Sequence, residues 1–209
     1  VADNPLMVPV RQVLDARGFK KKGPYGIYRK PLSPGVHAWV GMNARSDPGS
    51  LTLSPTVGVR HEEVERWVSL LRDRNPKDST APTVSTGLMN LLPEGRAWPH
   101  WVLARGEDQQ NAQTWELFGQ DIDQYAMPWM QERDTGERLV EPLRRNEGLD
   151  TSRLALPVLL WILGDPAGAR EAVERGRSAK IVGGMVVDYG AYAERLLAEI
   201  DAHPDGPVE

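Results

Sequence analysis

Alternating hydrophobic series mark the first half of this 209-residue chain and helical spacing dominates the second, and that division restricts the fold to few classes. Between Val36 and Val59 apolar residues recur at every second position. Val36, Ala38, Val40 and Met42 form one such series, and Leu51, Leu53, Val57 and Val59 another. From about Asn111 onward the spacing is helical: Trp115, Phe118, Ile122, Tyr125 and Trp129 follow one another at alternating steps of three and four. Sequential strands followed by a run of helices imply an α+β fold. The expected architecture is a small antiparallel meander sheet packed on N-terminal helices, then a helical C-terminal half. The sheet portion covers residues 1–107 and the helical portion 108–209, read together as one compact unit.

Punctuation residues place the elements. A first helix spans about Pro9 to Arg17, with Gly18 as its left-handed stop. Strands follow at Tyr25 to Lys30, Val36 to Asn43 and Leu51 to Val59, joined by the Pro-Gly turns around Pro34 and Pro48. Pro55 within the third strand argues for an edge or a bulge, because proline donates no ladder hydrogen bond. Glu62 to Arg72 is an amphipathic helix, and Thr83 to Leu92 and Trp101 to Ala104 are two further strands. Pro128 kinks or ends the tryptophan-striped helix. Helices at Glu137 to Arg145, Thr151 to Leu163, Pro166 to Arg175 and Val186 to Ala202 complete the chain. The apolar run Leu154 to Leu163 is too short for a membrane span of about 20 residues and reads as a buried core helix.

Charge is unevenly divided. The first 60 residues carry nine bases and three acids, while the whole chain carries a net −4. A basic head on an acidic body suggests a surface for an anionic ligand or a complementary partner. The chain has no cysteine, which excludes a disulfide framework, thiol catalysis and cysteine-ligated zinc, and fits a cytoplasmic location. No signal-peptide pattern opens the chain. The predominance of arginine over lysine is the usual composition of a GC-rich bacterial genome.

The stretch His61-Glu62-Glu63-Val64-Glu65 fails the zinc-protease pattern because Glu65 stands where the second histidine belongs. His37, His61, His100 and His203 have no ligand-like spacing. Gly183-Gly184 is not a phosphate-binding loop, and Asp121 and Asp123 point to different faces of one helix. No catalytic residue, metal ligand or cofactor is assigned.

Two stretches remain as binding candidates. In Gly18 to Lys30 the cations Lys20, Lys21, Lys22, Arg29 and Lys30 interleave with Phe19, Tyr25 and Tyr28, the combination of charge and stacking found in nucleic-acid and anion sites. The competing reading is a solvated turn, since cations after a helix C-terminus offset the macrodipole. The second stretch is Glu94 to Trp101, where Arg96, Trp98, His100 and Trp101 gather residue types favoured as interface anchors. Trp39, on the second face of its strand, extends that surface. Trp67, Trp115, Trp129 and Trp161 sit in apolar helical registers and read as core.

The segment Gly18 to Gly23 with Tyr28 and Arg29, and the later Asp121 to Trp129, resemble the opening and helix motifs of an uncharacterised bacterial domain family, over about residues 1–145. By fold analogy with small α+β immunity proteins, the resemblance implies a non-catalytic, cytoplasmic protein-binding module, an immunity-type neutraliser of a bacterial toxin. The alternative is an anionic-ligand or nucleic-acid binder using the basic head. A second alternative is an enzyme whose site is assembled from dispersed residues. Neither reading involves a membrane.

Overall fold

The structure, a computed structural model, describes residues 5–23, 26–94, 101–145, 152–178 and 189–207. It is an α+β fold with an antiparallel sheet and a helical C-terminal half. Among the described residues six strands form the sheet: β1 (Lys20–Lys22), β2 (Ile27–Ser33), β3 (Val36–Asp47), β4 (Ser50–His61), β5 (Val84–Gly87) and β6 (Trp101–Ala104). The order is β1-β2-β3-β4-β5, and β6 also pairs with β4. The helices are α1 (Val8–Asp15), α2 (Glu62–Leu71), α3 (Asp108–Asp121), α4 (Met127–Gln131), α5 (Gly136–Arg144), α6 (Ser152–Ile162), α7 (Pro166–Ser178) and α8 (Tyr189–Ala202). Among the described residues no helix is long and apolar enough to cross a membrane.

The chain divides into two compact units, neither of them continuous in sequence. One comprises Val1–Val59 and Ser85–Glu132, the other Arg60–Val84 and Arg133–Glu209.

In the first unit α1 ends as its glycine requires. Gly18 takes φ +82°, and the Phe19 N–H closes the helix by donating to the Leu14 carbonyl at 3.0 Å. The chain then enters β1, pairing Lys20 with Arg29, Lys21 with Tyr28 and Lys22 with Ile27. The three lysines therefore form an edge strand rather than the solvated turn. Lysine on an exposed edge discourages pairing with another chain. β4 is interior, not an edge: β3 occupies one side, and β5 and β6 share the other. Pro55 follows the β6 pairing, which ends at Leu53, so its missing N–H costs that ladder nothing. At the end of β6 the main-chain groups of Ala104 are satisfied by Asn111, whose side-chain carbonyl accepts from the Ala104 N–H at 2.9 Å. Its amide donates to the Ala104 carbonyl at 2.7 Å.

Between α3 and α4 the helix widens into a π turn, Ile122–Ala126, in which the Met127 N–H donates to the Ile122 carbonyl. Pro128 supplies the reason, since it offers no N–H and its ring crowds the carbonyl four residues earlier. The wider turn rotates the face that follows. Ala126, Met127 and Met130 are buried, whereas Tyr125 and Trp129, the next members of the apolar stripe, are only half-buried.

The second unit is built around α6, whose residues are buried almost throughout. Pro157 removes the donor that would serve the Arg153 carbonyl. The Tyr189 hydroxyl stands 3.4 Å from that carbonyl and 3.3 Å from that of Val173, and its one proton can serve either. Tyr192 donates to the Leu154 carbonyl at 2.5 Å. Trp161 is fully buried, meets Trp67 edge-on at 4.9 Å and donates its indole N–H to the His203 carbonyl at 2.7 Å. Trp67 itself is half-buried.

Candidate binding site

Two of the three aromatic rings of the basic head, Phe19 and Tyr28, are buried on folding. Phe19 is fully buried, and Tyr28 is only 3% exposed, its hydroxyl pKa raised by burial and then by Asp15. Lys20, Lys21 and Lys22 are exposed, with Lys20 3.9 Å from Asp15. Arg29 and Lys30 are half-buried, and the Lys30 stem lies against Gly18. Tyr25 lies outside the described residues. The stacking surface expected of Tyr28 is therefore absent: a cationic edge remains, without that ring beside it.

The tryptophan surface changes in the same way. Trp39 is 8% exposed, and its indole folds over Gly41, two residues along its own strand, so it extends no exposed face. Trp101 is 4% exposed and packs edge-on against Phe118 at 6.1 Å. Arg96, Trp98 and His100 lie outside the described residues.

What the first unit does present is a groove of about 880 Å³ along α1 and α3. Leu6, Pro9, Val13, Ala112 and Trp115 supply apolar walls and floor, and Gln12, Arg17, Asp108, Glu116 and Gln120 the polar lining. Arg17 sets the geometry at one end. Its guanidinium makes two hydrogen bonds to the Asp123 carboxylate, at 3.0 and 2.9 Å, and donates to the Gly119 and Val13 carbonyls at 3.1 and 2.9 Å. A side chain at position 119 would meet that guanidinium, so glycine permits the close approach. Asp123 lies within the π turn that follows α3. With Arg17 neutralised, the charges left on the lining are the carboxylates of Asp108 and Glu116, both on α3. Glu116 accepts from Gln120 at 3.5 Å.

None of the groove residues is singled out by motif or composition. The one available signal is that Ala112, Trp115 and Glu116 share a helical face that mixes small, aromatic and charged residues. Among the described residues no group of three histidine, aspartate or glutamate side chains is placed to hold a metal ion. Comparison of the chain with protein-family models, with curated proteins and with solved structures finds no match, so its function rests on its own geometry.

Proposed function

We propose that this chain is a non-catalytic protein-binding module, cytoplasmic and of the immunity type that neutralises a toxin, and that the α1–α3 groove receives a segment of its partner. The observation that carries this reading is the groove itself: an apolar floor large enough for one or two side chains, bordered by two carboxylates that have no ion pair among the described residues. Its occupant is a protein segment that presents a bulky apolar anchor flanked by lysine or arginine. Asp108 and Glu116 meet the basic flank, which orients docking and speeds it more than it adds affinity. Arg17 and Asn111 are already satisfied within the fold, so they hold the walls rather than change partners on binding.

The test is a displayed random-peptide library panned against the protein, with an Ala112→Arg variant as counter-selection. Ala112 is exposed on the groove wall, so the substitution fills the groove without touching the core. Enrichment of peptides that join an apolar anchor to a basic flank, lost on the variant, supports the reading. Equal recovery on both proteins refutes it.

A further inference from the structure

The second unit contains a cleft of about 300 Å³ at the C-terminal end of α2, lined by Arg72 and Arg74, by the polar Ser69, Asn75 and Ser79, and by an apolar wall that includes Leu154. Neither guanidinium has a hydrogen bond or an ion pair among the described residues, yet Arg72 is half-buried. Burial, and then the like charge of Arg74, lower the Arg72 pKa, and Tyr192 and Glu65 oppose them without reversing the shift. Holding a guanidinium out of water without a counter-ion is unfavourable. A cation near a helix C-terminus offsets the macrodipole, but an exposed side chain does that as well.

The surrounding structure holds the backbone turn that carries both arginines, Arg74 itself being exposed. Asp73 between them has φ +51°, a left-handed conformation uncommon outside glycine. It occupies the helix-terminating position, with the Arg74 N–H donating back to the Ser69 carbonyl at 2.9 Å. Arg195 of α8 holds this turn, pairing with the Asp73 carboxylate and donating to the Leu71 carbonyl at 2.9 Å. Two carboxylates border the cleft. Glu65 is taken up, accepting from Thr83 at 3.0 Å and lying 3.8 Å from Arg60. Asp78 is exposed. Arg60 in turn is buried against Glu62, the Ala81 carbonyl and Ser79.

We propose that this cleft binds a small organic phosphate, its dianion held between the Arg72 and Arg74 guanidiniums and its organic part against the Leu154 wall. Two guanidinium forks, one half-buried at Arg72 and one exposed at Arg74, match an anion of two charges and several acceptor oxygens better than a carboxylate of one charge. The amide of Asn75 and the hydroxyl of Ser79 are further donors within the lining. No residue of the α1–α3 groove is involved, so this site and the protein-binding reading stand or fall separately.

The experiment is isothermal titration of the 209-residue chain with phenyl phosphate and, in parallel, benzoate. Saturable binding of phenyl phosphate is expected, tighter than that of benzoate, and weakened about tenfold or more in an Arg72→Gln, Arg74→Gln double variant. Ala81→Trp, an exposed substitution at the cleft lining that leaves every arginine in place, should also block binding. This second variant separates occlusion of the site from any loss of folding in the first. Absence of saturable binding, an affinity in either variant equal to that of the native chain, tighter binding of benzoate, or loss of binding on replacing Lys20, Lys21 and Lys22 with glutamine would each overturn the proposal.

Discussion

A hydrogen atom or a methyl group at single positions decides much of the packing in this protein. A Cβ at Gly41 would overlap the Trp39 indole that lies across it. Gly41→Ala should therefore destabilise the fold by about 1–3 kcal/mol, the usual cost of overpacking a filled core. Gly87, by contrast, would place its Cβ at ordinary contact distances of 3.5 Å or more from Met89 and Asn90. Gly87→Ala should shift stability by no more than about 0.5 kcal/mol. Urea unfolding of the two variants tests the pair, and equal effects would contradict the account of Trp39. The buried tyrosines make a second prediction at this scale. Burial raises the Tyr189 pKa to about 12 and places that of Tyr192 well above 10. Between pH 10 and about 12 the unfolded chain loses these protons while the folded chain keeps them, so stability falls as pH rises through that window. Tyr189→Phe should flatten the decline, measured as the urea midpoint against pH.

At the level of elements, α2 depends on an unusual cap. The N-cap residue is His61, whose Nδ1 accepts from the Val64 N–H at 3.4 Å, and burial lowers its pKa. Nearby Glu63, Glu137 and Glu62 oppose that shift without reversing it. A neutral imidazole is required, because the protonated ring has no acceptor. The unfolded histidine takes up its proton near pH 6.5 and the folded one only lower, so stability should fall as pH drops below about 6.5. His61→Asn keeps an acceptor at the cap and should remove that acid-side loss. A urea midpoint that is flat between pH 7 and 5 in the native chain would rule the cap out as its source. β1 gives the second element-level prediction. Lys20→Val with Lys22→Val removes two charges from an exposed edge strand. Sedimentation should then report self-association absent from the native chain. Much of this level was legible beforehand: Gly18, Pro166 and the alternation in β3 and β4 marked boundaries that the structure reproduces within a few residues. The π turn was not legible, because only the packing of Ala126, Met127 and Met130 reveals that the helical face has rotated.

For the whole molecule the decisive fact is that each compact unit is assembled from two stretches of chain. α2 lies between the two stretches of the first unit in sequence, yet packs with α6 and α8 of the second. A fragment ending at Glu132 would leave Val64, Trp67, Val68 and Leu71 without those partners. It should aggregate or lose helical signal, as size exclusion and circular dichroism would report. A soluble, folded fragment would show that the first unit stands without α5 to α8.

The sequence alone determined the α+β class, the central buried helix α6 and most helix ends, because periodicity and capping act over a few residues. Tertiary structure alone decided which aromatic rings reach the surface. Tyr28, Trp39 and Trp101 have the composition of a binding face, but their burial depends on neighbours brought in by sheet pairing and by α3. The groove along α1 and α3, and the Arg72 and Arg74 cleft, have the same origin. Each joins stretches separated by tens of residues, and no local pattern records which distant side chain will neutralise Arg17 or leave Arg72 without an ion pair among the described residues.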